Sequence, residues 1–317
     1  MLAFLKLIRI QNLIIVAVTQ YLMRYAIIEP ILKINNFELQ LSNFNFFILV
    51  FSTVLLTAAG YVINDYFDTK TDILNRPDSV VVGRKIGRRT AMTIHLIFNI
   101  IAIIGGFYIS YKIGLYQLGF IFFLVSGILW YYSTSYKRQF LIGNLIVAIL
   151  TGLVPLMVIL FEMPVLNKEY YEILLAKKAN FNHVFFWVAG FSFFAFITTL
   201  IREIVKDMQD YEGDSAYGRN TLPIILGIFY TKLVVSILII LTLISLAYVY
   251  FKFLIGSDLT LWYIIIGEIS PLLFISFKLI TAKNKDDYKF ISTLLKIIML
   301  IGILYSLVEA YIFTYNF

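Results

Sequence analysis

The sequence predicts an all-α membrane protein, a polytopic bundle of about nine transmembrane helices, on three observations. Apolar residues make up 61% of the 317 positions and charged residues only 14%, a balance unlike that of a water-exposed globule. Mean hydropathy is strongly positive. Apolar runs of roughly 20 residues, the length an α-helix needs to cross the hydrocarbon core, recur along the chain between short charged stretches.

The first run, Ile10 to Ile28, follows Lys6 and Arg9. It is too long for a signal-peptide core and lacks a small-residue cleavage site, so it reads as a retained anchor. Asn45 to Ile63, Thr90 to Tyr111, Leu115 to Tyr132 and Leu141 to Phe161 give the next four spans. The only sizeable outer loop, Glu162 to Asn182, then reads as peripheral. His183 to Ile204 is the sixth span, and Leu222 to Phe251 the seventh, whose length predicts tilt or an extension into water. Leu261 to Ile280 and Phe290 to Phe313 complete the set.

Charge orients these spans. Lys6, Arg9, Lys70, Arg76, Arg84, Lys85, Arg88, Arg89, Lys137, Arg138, Lys206, Arg219, Lys283, Lys285 and Lys289 fall on one side; the other holds Arg24, Lys33, Lys112, Lys168, Lys177, Lys178 and Lys252. The positive-inside tendency makes the first side, with the N-terminus, cytoplasmic. The net charge of +7 thus reports topology and phosphate affinity, not nucleic-acid binding. With no cysteine, a disulfide framework, a thiolate metal site and a cysteine nucleophile are excluded. His95 lies inside a span and His183 at a span's edge, places that suit helix packing better than catalysis.

One pattern stands out against the apolar background. Asp65, Asp68 and Asp72 follow the second span, and Asp207, Asp210 and Asp214 follow the sixth, each set spaced i, i+3, i+7. On a helix that spacing stacks three carboxylates along one face. Each set sits on a helix end and the loop after it, and each loop runs on to a proline, Pro77 or Pro223. That weak internal symmetry divides a single domain, 1–317, into pseudo-repeated halves, about 1–135 and 136–317, closing on a central cavity. Six mutually repelling anions need cations, and the economical arrangement has the two rows facing each other around hard divalent metal, Mg²⁺, which also bridges to phosphate. Such ions would clamp a diphosphate and make it a good leaving group. If the group attached is an allylic isoprenoid, its departure leaves a delocalised cation. The 29 Phe and 22 Tyr include enough rings to line an apolar tunnel and stabilise positive charge.

These residues carry a resemblance. The chain resembles the UbiA-type intramembrane prenyltransferase superfamily, whose signature N-D-x-x-D-x-x-x-D is present as Asn64, Asp65, Asp68 and Asp72, with the second signature at Asp207, Asp210 and Asp214. The start Arg9-Ile10-Gln11-Asn12 and the stretch from Tyr132 to Lys137 also match. The resemblance implies a nine-helix bundle with a cytosolic cap and aspartates that bind magnesium diphosphate. It also implies that Tyr132 and Lys137 help to hold the diphosphate. The wording from Ala59 to Asp68, from Arg202 to Asp214 and at Thr221-Leu222-Pro223 is similar to the geranylgeranylglycerol-phosphate geranylgeranyltransferase subgroup. That implies prenyl transfer to a prenylated glycerol phosphate in the membrane. The stretch from Asp78 to Lys85 departs from the subgroup's pattern, which leaves an aromatic quinone precursor, dihydroxynaphthoate or hydroxybenzoate, open as acceptor.

Further cations and amides join the candidate diphosphate site. Arg76, Arg84 and Lys85 follow the first row, where a guanidinium suits diphosphate oxygens. Lys206 is placed to pair with Glu203 or Asp210 along its helix until substrate arrives. Arg202, one turn deeper, needs a partner; Glu203 points off at a different angle, so the aspartates or substrate are expected to supply it. Asn12 is placed to hydrogen-bond a diphosphate from the first span. A cation-coupled transporter is the competing class, yet its carboxylates belong near the bilayer midplane on interrupted helices, whereas these sit at one mouth among cations.

Overall fold

A computed structural model describes residues 2–75 and 80–315. Among the described residues, nine helices are long and apolar enough to cross a membrane: Ile10–Ile34, Asn43–Thr69, Arg88–Ile113, Tyr116–Thr134, Ile142–Glu169, Asn182–Gln209, Leu222–Leu254, Asp258–Thr281 and Lys285–Thr314. They are numbered here as the first to ninth spans, and together they make the chain an integral, multi-pass membrane protein. Phe186, Phe229, Ile266 and Ile280 are exposed, as side chains facing lipid must be.

The first and fifth spans both run further than expected. The first span passes through a π-helical stretch, Met23–Ile28, and continues to Ile34. The fifth runs on through Pro155 and Pro164 to Glu169, so the expected outer loop from Glu162 begins as helix and goes on to a short helix, Tyr171–Lys177. Arg24, inside the first expected span, and Glu162, the first residue of the expected outer loop, are 1% and 0% exposed and pair at 2.9 Å. Arg24 also donates to the Leu41 carbonyl, and Glu162 Oε1 accepts from the backbone N–H of Gln40 and Leu41 at 2.6 and 2.9 Å. An acid paired in this way no longer ends a span.

The seventh span absorbs its excess length differently. Its backbone leaves helical geometry at Gly227 (φ 79°, ψ 161°), a conformation open essentially to glycine, so the turn that opens at Leu222 and Pro223 is set off from the rest.

The chain forms two compact units, Met1–Tyr136 with Leu153–Ala189, and Lys137–Gly152 with Gly190–Phe317. In the first, Leu7, Ile8 and Leu13 pack with Ala58, Val62, Val81, Val82 and Ala91, which ties the N-terminal segment and the turn after the first aspartate row to the second span. The second, third and fourth spans approach closely through small residues. A Cβ on Gly105 would overlap the Ser52 side chain, one on Gly106 the Phe122 ring, and one on Gly119 the Phe107 ring. In the second unit, Ile197, Ile201, Ile204, Val205 and Met208 form one buried stripe at helical spacing against Val235, Ile239, Leu272, Ile275, Leu295 and Ile298.

Candidate active site: two aspartate rows

The first row is helical throughout. The helix that contains the second span extends from Asn43 to Asn75, so Asn64, Asp65, Asp68 and Asp72 ride on one continuous element. The loop expected to hold part of the row is absent, because helix persists past the apolar run. Asp68 is buried at 8% exposure, while Asn64, Asp65 and Asp72 are half-buried.

Cations and rings from the same unit surround this row. Arg9 Nη2 donates to Asp65 Oδ1 at 2.9 Å, and its guanidinium lies 4.8 Å from the Tyr61 ring centre. Desolvation works against that charge, and Asp65, Tyr61 and Asp72 outweigh it, so the pKa of Arg9 stands above its ordinary value. Asn12 Nδ2 donates to the Tyr61 hydroxyl at 3.3 Å. Arg88 covers the Tyr66 ring at 4.2 Å. The loop that returns toward the third span closes tightly: the Val81 carbonyl accepts from the N–H of Lys85 at 2.9 Å and of Ile86 at 3.2 Å. Gly83 takes φ 84° there, and exposed Arg84 and Lys85 sit at its tip. Tyr132 is half-buried near the end of the fourth span. Arg76 lies outside the described residues.

The second row is interrupted. Asp207 lies in the last turn of the sixth span's helix, Asn182–Gln209. Asp210 (φ −96°, ψ 11°) forms the joint to a short helix, Tyr211–Ala216, that holds Asp214. Three carboxylates on one helical face therefore describe the first row better than the second, since a joint in the bridge region of backbone space turns the face at Asp210. Asn144 Nδ2 donates to Asp207 Oδ2 at 2.8 Å. Asp214, at 2% exposure, pairs with Arg219 at 3.1 Å. A helix C-terminal motif delivers that arginine. Gly218 takes φ 63°, its N–H bonds the Ser215 carbonyl, and the Arg219 N–H bonds the Asp214 carbonyl at 3.0 Å, the paired bonds of a Schellman cap.

Arg202 corrects an expectation. Its Nη1 pairs with Glu203 at 3.0 Å, because its long side chain bends across the angle between adjacent helical positions. Lys206 pairs with the same carboxylate at 2.8 Å, as its i, i+3 spacing allows. Lys137 is buried in a 3₁₀ turn, Tyr136–Arg138, whose Arg138 carbonyl accepts from the Asn220 N–H at 2.9 Å. His95 is a packing residue: its Nδ1 lies 3.0 Å from the Ala59 carbonyl oxygen.

Sequence reasoning did not place Arg9, Asn144 or Arg219 in the site. Arg9 is 56 positions from its partner and Asn144 63, so no local spacing signals either. Gly218 was the available signal for Arg219. As for metal, all six aspartates are hard oxygen donors of the kind Mg²⁺ prefers. Among the described residues, neither row by itself draws three carboxylate or imidazole groups into a ligand cluster.

Comparison with known proteins agrees with this picture. Residues 37–303 match the UbiA prenyltransferase family. The digeranylgeranylglyceryl phosphate synthase of Methanothermobacter thermautotrophicus is 37% identical over 186 residues, 58% of this chain and 57% of that protein. That of Methanosphaera stadtmanae is 33% identical over 255 residues, 78% of this chain and 81% of that protein. A structure from work on digeranylgeranylglyceryl phosphate synthase in membranes superposes with a TM-score of 0.64 at 26% identity over 97% of each chain. A UbiA homologue from Archaeoglobus fulgidus bound to DMAPP and Mg²⁺ superposes at 0.58 over 98% of this chain and 99% of its own; at 18% identity that likeness concerns the fold. The span pattern, the repeated aspartate spacing and these similarities converge: the chain belongs to the UbiA prenyltransferase family and is a prenyltransferase.

Proposed function

We propose that this prenyltransferase moves an isoprenyl group from an allylic diphosphate to the free hydroxyl of a prenylated glycerol phosphate in the membrane. The observation that carries the reading is the duplicated aspartate spacing, each row flanked by cations suited to phosphate. The names of the relatives, all digeranylgeranylglyceryl phosphate synthases among those compared, supply the acceptor class.

In this reading Asp65, Asp68, Asp72, Asp207, Asp210 and Asp214 are the residues that hold Mg²⁺. When bound, the ions neutralise the diphosphate and improve it as a leaving group. Asn12, Asn64, Arg76, Arg84, Tyr132, Lys137, Arg202 and Lys206 bind and orient the diphosphate. Arg supplies forked donors, while Lys206 turns from Glu203 toward the substrate. The allylic carbon–oxygen bond breaks with its electron pair leaving on the diphosphate. The acceptor oxygen forms the new bond, and its proton passes to one of the aspartates acting as base. The excess of Lys and Arg on one side supports a cytoplasmic N-terminus and mouth, and the repeated motif supports one domain of two related halves.

The test is purified protein with Mg²⁺, geranylgeranyl diphosphate and one acceptor at a time: prenylated glycerol phosphate, dihydroxynaphthoate or hydroxybenzoate. Product mass and released diphosphate are the readouts. The expected result is product with the glycerol phosphate acceptor, lost on chelation. Product only with an aromatic acceptor would overturn the acceptor assignment, and no diphosphate release with any of them would overturn the donor chemistry.

A further inference from the structure

Arg9 occupies a backbone corner that a long side chain seldom takes. It joins the short helix Leu2–Leu7 to the first span with φ 51° and ψ 56°, left-handed geometry that costs a residue with a Cβ and persists where the surroundings impose it. The surroundings here are clear. Leu7 and Ile8 before it and Leu13 after it are buried, packed with Ala58 and Val62 of the helix that carries the first aspartate row. The corner aims the guanidinium at Asp65, and the Tyr61 ring beneath it is steadied by Asn12. The Arg9 side chain is nevertheless 40% exposed, so its outer donors have room to reach a new partner.

We propose that Arg9 is a stand-in cation: it neutralises Asp65 while the site is empty, and passes to the diphosphate when a divalent ion takes that carboxylate. This rests on the first row being an ion-binding row, as proposed above. A guanidinium and a divalent ion compete for one carboxylate, so Arg9 opposes ion binding in the absence of diphosphate. Once diphosphate is present, the same fork binds its oxygens bidentately, and Arg9 favours the ion–diphosphate pair. The sign of its effect reverses with substrate, which an ion pair serving only to hold the fold would not produce.

Mn²⁺ binding to the detergent-purified full chain, followed by electron paramagnetic resonance with and without inorganic diphosphate, separates these cases. Arg9→Gln should bind Mn²⁺ severalfold more tightly than wild type without diphosphate, and severalfold more weakly with it. Arg9→Lys should keep the competition without diphosphate yet lose part of the diphosphate-dependent affinity, because an ammonium lacks the fork. Unchanged or weaker Mn²⁺ binding by Arg9→Gln without diphosphate overturns the inference. Should Arg9→Gln melt abnormally, Arg9→Lys decides, and wild-type affinity in both conditions overturns it. Wild-type protein that binds Mn²⁺ in neither condition overturns the ion-binding reading itself and this inference with it, whereas binding in wild type that no Arg9 variant alters overturns the inference alone.

Discussion

The first aspartate row lies on one continuous helix and meets a guanidinium from 56 positions away, whereas the second is jointed at Asp210 and meets Arg219 from the following turn of chain. The spacing is the same in both, but the support differs. The first row depends on the N-terminal segment being packed against the second span. The second is assembled by a local cap, with Gly218 bringing Arg219 back over Asp214. Equal spacing thus does not imply equal construction, and the rows should respond unequally to changes in their surroundings and equally to loss of their own carboxylates.

The largest expected effect tests that equality. Asp68→Ala and Asp210→Ala should each lower turnover by roughly 10³-fold, the scale of several kcal/mol of charge stabilisation removed, with near-normal melting in detergent. Loss in one variant alone would show that the rows are chemically unequal, and retained activity in both would remove them from the chemistry.

The same contrast recurs among buried acids. In the first unit Glu162 is held by Arg24 and two backbone N–H groups. In the second, Glu309 is met by the hydroxyls of Tyr305 and Thr260, and Glu268 forms no ion pair among the described residues and has an oxygen without a hydrogen bond. Glu162→Gln strands the Arg24 charge and should destabilise the protein by about 3–5 kcal/mol, read from thermal or denaturant melting. Glu268→Gln should change stability by no more than ~1 kcal/mol, since it strands no charge. A comparable loss in both would erase the distinction between the units.

The smallest effect concerns one amide. Asn144→Ala removes the donor that orients Asp207 and should raise the Mg²⁺ concentration for half-maximal activity about tenfold, as loss of a partner behind a metal ligand does. The maximal rate should move less. No change in the Mg²⁺ titration would mean that Asp207 is oriented by other contacts.

Much of the fold was legible because the bilayer restricts the choices: an apolar run of sufficient length must be helical. The boundary at Phe161 failed because Glu162 marks a span's end only while its partner is unknown, and Arg24 lies 138 positions away. Asp72 was expected near a loop because the apolar pattern stops at Ile63, yet helical hydrogen bonding needs no apolar side chains and continues to Asn75. The repeated spacing of the six aspartates was legible in the sequence. Arg9 and Asn144 were not, because only tertiary packing brings them to their carboxylates. Glu203 showed the limit of helical-wheel reasoning, which fixes where side chains start and not how far Arg202 can bend.

The glycine and phenylalanine contacts between the third and fourth spans have a different kind of consequence. Lipid tails are as apolar as the rings, so cohesion at Gly106 and Gly119 comes from close dispersion contact and not from exclusion of water. Ionic strength and chelators do not act on such contacts. The packing they build should therefore keep its shape in buffers that strip the carboxylates of their counter-ions.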